Sequence, residues 1–261
     1  MSKDTESYRR AEHSQTYDGV TMAVHRYAEK RLVTRGIPIP AETGGTTLQH
    51  VVEGSDIFQL QVQLEDGEVL LEPGALQYMH GRIDTSVIRH EPQRGFFSRA
   101  VSSAGTGESA HATKYKGNGT IWCEPGRRHF VLATMDGPQE ALLIDDRAFY
   151  ACSSGIALET HRHDTVSGLF SGNGLLQPKL SGKGVFAVES PVPVEEIEEI
   201  QVEEGETVTV DGEYMLMYSA SLNVRLGPLV SGLRNALRSG EGFVYKLSGK
   251  GTVWVMPTAK L

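Results

Sequence analysis

The chain repeats one glycine-containing pattern three times, and this repetition restricts its fold more than any other feature of the sequence. In each copy a Gly-x-Gly triplet leads into an apolar stretch of strand-like composition. The triplets begin at Gly117, Gly182 and Gly249, so they are 65 and 67 residues apart. A period of this length predicts one supersecondary unit that is used three times.

A second element recurs in the same order as the triplets. Its copies are Gly67-Glu68-x5-Gly74 and Gly205-Glu206-x5-Gly212, with Glu140 at the corresponding place between them. Together the two elements predict three pseudo-repeats, over about residues 50–123, 124–189 and 190–257. We interpret the recurring glycines as structural turn residues, because glycine adopts positive φ and lets two backbones approach closely. The set is Gly67, Gly74, Gly117, Gly119, Gly182, Gly184, Gly205, Gly212, Gly249 and Gly251.

The apolar residues of the first unit alternate as they do in a half-buried strand. From Phe58 to Leu64 they alternate with three glutamines, which predicts a strand with one apolar face. Asp66-Gly67 predicts a hairpin turn, with Val69 at the start of the return strand. The predicted fold is all-β, made of repeated antiparallel units of the double-stranded β-helix or sandwich type. Leu229–Leu237 is one of two helix candidates.

The first 45 residues are predicted to be a mostly non-β arm in front of a β domain over residues 46–257. Thr21–Leu32 has the spacing of a short amphipathic helix, and the prolines of Gly36–Pro40 predict a linker after it. The strongest basic cluster of the chain lies here: Arg26, Lys30, Arg31 and Arg35. This cluster is either a solvated helical face or a docking segment for a partner or an acidic lipid surface.

Charge and composition exclude several classes of function. The chain has 25 Lys and Arg against 33 Asp and Glu, and this net charge of −8 argues against a nucleic-acid partner held by its phosphates. The two cysteines, Cys123 and Cys152, cannot build a disulfide framework and are interpreted as buried thiols. Because Met1–Glu12 is polar and no apolar run reaches ~18 residues, we predict a cytoplasmic protein.

The motifs predict no catalytic or cofactor-binding residue. Gly-Lys-Gly at Gly182 and Gly249 lacks the spacing of a phosphate-binding loop and leads into a strand. The best metal-like cluster is His161-Arg162-His163-Asp164, because residues i and i+2 of a strand point the same way. Together with Gly155 it echoes half of a cupin motif, but the other half is missing. Its flanking residues are typical of a loop between units, so no metal ligand is assigned.

Two further groups of residues have a structural and a functional interpretation. The carboxylates between Glu195 and Glu206 are interpreted as a solvated face, with a surface for a cation or a basic partner as the alternative. Trp122 and Trp254, at corresponding repeat positions, are interpreted as core residues and not as base-stacking platforms.

The motif-bearing stretches together resemble the altered-inheritance-of-mitochondria family. They are Leu64–Met79, Leu180–Phe186, Gly205–Gly212 and Leu247–Gly251, and the resemblance covers about residues 50–257. It implies an all-β trimer whose fold is like that of the tryptophan-responsive RNA-binding attenuation protein. A mitochondrial member of the family is linked to inner-membrane organisation. The resemblance supplies no catalytic residues, and the pair His161 and His163 lies outside its pattern.

These observations favour a non-enzymatic, homo-oligomeric scaffold or binding protein, a trimer by the resemblance. Its expected partner is an unidentified protein, its role is membrane-associated or stress-related, and no cofactor is expected. One alternative is a cupin-like metal-dependent enzyme that uses His161 and His163. A second is RNA binding by analogy of fold, which the net charge disfavours. A third is attachment to a membrane surface through the basic N-terminal segment.

Overall fold

The computed structural model describes residues 9–38, 46–88, 112–145, 147–163, 175–228 and 243–258. In these ranges the chain forms β-strands that pair antiparallel, and its helical elements are 3₁₀ turns of three residues, so the all-β prediction is confirmed. The strands are β1 (Arg9–Tyr17), β2 (Val20–Pro38), β3 (Thr46–Leu71), β4 (Leu76–Ile88), β5 (Ala112–Cys123), β6 (His129–Asp136), β7 (Leu142–Ile144), β8 (Phe149–Ser153), β9 (Ile156–His163), β10 (Leu175–Ser190), β11 (Glu198–Val202), β12 (Thr207–Asp211), β13 (Met215–Ser219), β14 (Asn223–Pro228), β15 (Phe243–Ser248) and β16 (Gly251–Val255). The 3₁₀ turns are Pro138–Glu140, Val194–Glu196 and Gly212–Tyr214.

Three stretches of the chain share one scheme of strand pairing, and we call the described residues within 57–123, 129–190 and 198–255 units 1, 2 and 3. In unit 3, β16 pairs with β11 and β13, while β15 pairs with β12 and β14. In unit 2 the two halves of β10 take these places: the second half pairs with β6 and β8, and the first half with β7 and β9. In unit 1 the two halves of β5 take these places. The second half pairs with an earlier part of β3 and the first part of β4, and the first half pairs with the end of β3 and the last part of β4.

Further strand pairs join each unit to the next one. The end of β3 in unit 1 pairs with β8 of unit 2, and β7 of unit 2 pairs with β13 of unit 3. The hairpin of β1 and β2 adds to unit 1 through β3. Most strands therefore belong to one continuous sheet, and β12, β15 and β14 form a smaller one.

The apolar core crosses the boundaries between the units. One cluster joins Val20, Met22 and Val24 of β2 to unit 1 and to Tyr150 and Val185 of unit 2. A second cluster joins unit 2 to unit 3, and a third lies within unit 3 and includes one residue of β7. Because burying apolar surface is the main stabilising term in folding, the units stabilise one another.

The glycine triplets of units 1 and 2 lie at kinks inside long strands. Gly182 and Gly184 are inside β10, at the place where the strand changes partners. Gly117 and Gly119 occupy the same place in β5, whereas Gly249 lies in the bend before β16, and Gly251 begins that strand. These glycines are not at chain reversals; they let one strand serve two pairings.

The strand register corrects the alignment of the second recurring element by one residue. Val69 pairs with Tyr115 and Val208 pairs with Leu247, each two residues before the first glycine of its triplet. By this register Glu206 corresponds to Gly67 and not to Glu68. Gly67 lies inside β3 and Gly212 begins a 3₁₀ turn, whereas Gly74 and Gly205 lie in turns with φ of 84° and 88°.

The predicted hairpin turn at Asp66-Gly67 is wrong. Asp66, at φ 53°, lies at a bulge in β3, and the same strand continues to Leu71. The Asp-Gly hairpin is instead Asp18-Gly19, with φ of 42° and 72°, as in the type I′ turn that joins two antiparallel strands. The two Asp-Gly pairs lie side by side, because a Cβ placed on Gly67 would lie 2.4 Å from Gly19 O, which accepts from Glu65 N at 2.8 Å.

The predictions of a helix over Thr21–Leu32 and of a mostly non-β N-terminal arm are also wrong. These residues lie in β2, which pairs with β3 from Val20 to Pro38, so the predicted linker begins inside a strand. The physical reason is the alternation of buried Val20, Met22 and Val24, a period of two that fits a strand and not a helix. The helix candidate Leu229–Leu237 lies outside the described residues, and the boundary at residue 45 stays a prediction.

Replacing Gly182 with alanine is expected to destabilise the protein. Its φ of 120° is strained for any residue with a Cβ, and a Cβ there would lie 2.3 Å from the carbonyl oxygen of Gly155. We expect Gly182→Ala to lower the free energy of unfolding by about 2–3 kcal/mol in urea titrations. Gly227→Ala is the matched control, because a Cβ there meets nothing within 4 Å. Equal stability of the two variants would contradict the strand kink.

Candidate binding surface

A cluster of aromatic and polar side chains covers the sheet face opposite the core of unit 1. Trp122 is buried, yet it packs outside the apolar clusters. The guanidinium of Arg9 lies 3.8 Å from its ring centroid, and the His25 ring lies 4.9 Å away. Tyr78 stacks on the indole at 6.2 Å. Trp122 is buried, in agreement with its interpretation as a core residue, and we call these four residues and Tyr27 the Trp122 patch.

Hydrogen bonds between neighbouring strands hold the patch in place. Buried Gln59 donates to Gln77 Oε1 at 2.7 Å and to the carbonyl oxygen of Cys123 at 2.6 Å, and it accepts from the hydroxyl of Tyr27. His25 Nε2 bonds to Gln61 Oε1 at 2.7 Å. The glutamines that the sequence analysis placed on the polar face of the strand thus build a fixed polar layer.

Burial lowers the pKa of His25. Desolvation is the largest cause, the bond to Gln61 opposes it, and the positive charge of Arg9 adds to the lowering. The buried Nδ1 of His25 has no hydrogen-bond partner among the described residues. A second ring proton would therefore remain unsatisfied, so the neutral imidazole fits this place.

His161 and His163 lie in strand β9, not in a loop between units. Their rings contact each other with centroids 4.6 Å apart. His163 is buried, and its Nε2 lies 2.9 Å from Gln177 Oε1 and 3.1 Å from the hydroxyl of Tyr218. Tyr218 belongs to unit 3, so this polar network fastens unit 2 to unit 3.

Burial holds Tyr218 of this network and both cysteines of the chain in their neutral forms. Burial raises the pKa of Tyr218 far above its ordinary value, and its hydroxyl donates to Gln177 Oε1 at 2.7 Å. Burial also raises the pKa of Cys123 and of Cys152 to about 12. Within the described ranges, no three His, Cys, Asp or Glu side chains are grouped to hold a metal ion.

A cleft of about 580 Å³ lies between units 2 and 3. Apolar side chains form much of its wall: Met135, Leu142, Phe186, Ile197, Met217 and Trp254. Glu140 and Glu199 line it as well. Trp254 is thus partly exposed at a junction between units. Its correspondence with Trp122 was visible in the sequence, but the residues that surround each tryptophan were not.

The three units, joined in the order 1, 2 and 3, form an array whose two ends differ from its interior in strand pairing. Among the strands that the structure describes, β4 pairs only with β5 and β12 pairs only with β15. β8 and β13, the counterparts of residues 76–80 of β4, are almost wholly buried between neighbours on both sides. In β4, Tyr78 is 46% exposed and Met79 is 41% exposed. We call the unpaired sides of residues 76–80 and 207–211 the β4 edge and the β12 edge.

Comparison with known proteins gives a family and a fold. A family model described as mitochondrial biogenesis AIM24 matches residues 50–258. The crystal structure of protein SPYM3_0169 from Streptococcus pyogenes has a similar fold, with a TM-score of 0.56 and 17% identity over 88% of this chain and 94% of that chain. At this identity the likeness concerns the fold alone. No curated protein matches the chain. None of the helices in the described ranges has the length and apolar character that crossing a membrane requires.

The lowered pKa of His25 predicts a loss of stability in mild acid. Below the ordinary histidine pKa near 6.5, His25 of the unfolded chain takes up a proton that folded His25 still excludes. The free energy of unfolding therefore decreases as the pH decreases. We expect a smaller fall between pH 7.5 and pH 5.5 in His25→Gln than in the wild type, as measured by urea unfolding. Parallel curves for the two proteins would refute this assignment, and an NMR titration of the imidazole measures the pKa directly.

Removing the hydroxyl of Tyr218 is expected to weaken the contact between units 2 and 3. Tyr218→Phe leaves the bond between His163 and Gln177 but removes both bonds of the hydroxyl, at a cost of about 1–2 kcal/mol in thermal or urea unfolding. Tyr214→Phe, at a partly exposed tyrosine, is the control and should change stability by less than about 0.5 kcal/mol. An unchanged Tyr218→Phe protein would show that the network does not stabilise the fold.

Proposed function

The chain belongs to the mitochondrial biogenesis AIM24 family, and from this premise we propose that it is a non-enzymatic scaffold or binding protein that works as a homo-oligomer. One observation carries the proposal: among the strands that the structure describes, the β4 edge and the β12 edge lack a second partner, while the corresponding strands inside the array are paired on both sides. Unpaired edges are liabilities that proteins cover or pair. Self-association would cover both.

The exposed side chains of the β4 edge support assembly further. Tyr78 and Met79 are two of the five large apolar residues that are exposed in the described ranges. Aromatic residues and methionine are enriched in protein interfaces. Tyr78 also belongs to the Trp122 patch, so the patch and the edge form one continuous surface.

The proposal includes the internal triplication and a trimeric assembly. The triplication is supported by the pairing scheme that the three units share. A trimer follows from the resemblance to the family and not from contacts within the chain. A protein partner bound at the Trp122 patch or the cleft beside Trp254, attachment to a membrane surface and a cytoplasmic location are further parts of the proposal.

A scaffold is favoured over a metal-dependent enzyme by the surroundings of the histidines. His163 Nε2 already faces Gln177 and Tyr218, so a metal ion at this atom would have to displace them. The buried thiols of Cys123 and Cys152 are poor nucleophiles at neutral pH, since the thiolate is the reactive form. The described residues thus support binding more than catalysis.

The oligomeric state of the full chain tests the proposal. Size-exclusion chromatography with light scattering at micromolar concentrations is expected to give a mass of two or more chains that persists on tenfold dilution. A mass of one chain at every concentration would overturn the proposal. Metal analysis of protein purified without a histidine tag is a second test, because a stoichiometric transition metal would favour the enzyme instead.

A further inference from the structure

We propose that the β12 edge of one copy pairs antiparallel with the β4 edge of a second copy, with Val208 opposite His80. The inference rests on the proposed function, because it names the surfaces through which the oligomer forms. The occupant is a second copy of this chain, since the chain carries both halves of the contact and makes the same contact twice within itself.

The first internal contact joins units 1 and 2 in a defined register. Its pairs are Val69 with Ser153, Leu70 with Cys152 and Leu71 with Ala151. Two hydrogen bonds flank these pairs, from Glu72 N to the carbonyl oxygen of Tyr150 at 2.8 Å and from Ser154 N to that of Glu68 at 3.0 Å. The contact therefore spans five residues on each strand.

The second internal contact repeats this register between units 2 and 3. Its pairs are Leu142 with Ser219, Leu143 with Tyr218 and Ile144 with Met217. The flanking bonds recur as well, from Asp145 N to the carbonyl oxygen of Leu216 at 2.9 Å and from Ala220 N to that of Ala141 at 2.7 Å. Two contacts with the same pairs and the same flanking bonds define a rule for joining units.

The free edges hold the residues that this rule requires. Val208 corresponds to Val69 and Leu142, because each pairs within its own unit two residues before the first glycine of the triplet. His80 corresponds to Ser153 and Ser219, because each of the three lies three residues before the apolar residue that packs against the second glycine of the triplet in its unit. These apolar residues are Ile83, Ile156 and Leu222, each 3.0 Å from a Cβ placed on Gly119, Gly184 and Gly251 in turn.

The rule then assigns the remaining contacts between two copies. Thr209 lies opposite Met79 and Val210 opposite Tyr78. The flanking bonds run from Asp211 N to the carbonyl oxygen of Gln77 and from Gly81 N to that of Thr207. Continuing the register places Arg82 opposite Glu206, both of which are exposed. Opposite charges facing each other across two strands favour pairing.

The two edges carry little of the usual protection against pairing. Tyr78-Met79-His80 and Thr207-Val208-Thr209-Val210 contain no proline, lysine or carboxylate, the residues by which edge strands commonly avoid association. The one carboxylate of the β12 edge, Asp211 at its end, accepts a hydrogen bond from Glu213 N. The contact joins two different surfaces, so it is heterologous, and head-to-tail copies form a closed ring when their rotation closes. A ring leaves neither the β4 edge nor the β12 edge unpaired.

Disulfide formation between two differently substituted chains tests the register. His80→Cys and Val208→Cys are made on separate chains with distinguishable tags, co-expressed, and oxidised after purification. By analogy with the internal contacts these residues form a non-hydrogen-bonded pair with Cα atoms about 4.5 Å apart, within the range that a disulfide spans. We expect a cross-linked dimer on a non-reducing gel from the mixture and none from either variant alone. Cys123 and Cys152 are buried and should contribute no background.

The control pair combines Val208→Cys with Val87→Cys. Val87 is 64% exposed on the same strand as His80, but it lies seven residues away, about 23 Å in an extended strand. Cross-linking of this pair to the same extent would overturn the register. So would a disulfide within one chain that carries both His80→Cys and Val208→Cys, because it would show the two edges closing on each other.

A second pair of variants tests the main-chain bonds of the edge. Thr209 corresponds to Leu70, which lies between the two flanking bonds of its contact, so its N–H is expected to face the second copy. Thr209→Pro should lose the oligomeric mass while keeping its β-type circular dichroism, and Thr209→Ala should keep both. If the wild type is oligomeric but shows neither the cross-link nor the proline effect, this inference fails and the proposed function stands. A monomeric wild type overturns both.

Discussion

Main-chain hydrogen bonding at strand edges is the constraint on which the rest of this structure depends. A strand at the end of a sheet leaves a row of N–H and C=O groups without partners. Inside the array the pairs of β3 with β8 and of β7 with β13 satisfy these groups. The apolar clusters that cross between the units follow from these pairs, because joined strands place their side chains on a common face.

Glycine makes this arrangement possible by letting one strand serve two pairings. Within two residues of β10 the pairing partner changes from β9 to β6. A Cβ on Gly184 would lie 2.1 Å from the hydroxyl oxygen of Ser153. That hydroxyl instead accepts from Val185 N, and Ser219 accepts from Thr252 N in the corresponding place of unit 3. The triplet thus combines a kink with a close approach, which no residue with a side chain could provide.

The sequence predicted the general architecture better than the details of the chain path. The all-β class and the period of the glycine triplets could be read from spacing and composition, whereas most of the glycines predicted as turn residues lie within strands. Asp66-Gly67 misled because a bulge and a hairpin turn both require positive φ, and only the pairing partner distinguishes them. The helix over Thr21–Leu32 was predicted from its amphipathic spacing, although the alternation from Val20 to Val24 indicated a strand. The Trp122 patch could not be predicted, because Arg9, His25 and Tyr78 meet only when β1, β2, β4 and β5 lie in one sheet.

Trp122 and Trp254 show how the same position acquires different surroundings in a repeated fold. Both lie three residues after the second glycine of their triplet. Trp122 pairs with β3 and β4, and Trp254 pairs with the corresponding strands β11 and β13. Trp254 has unit 2 beside it, so it lines a cleft between units. Among the described residues, Trp122 has Arg9 and His25 of the hairpin of β1 and β2 beside it instead. The difference between these two sites therefore comes from their positions in the array. Units 1 and 3 have one neighbouring unit each, so they can present surfaces that unit 2 cannot.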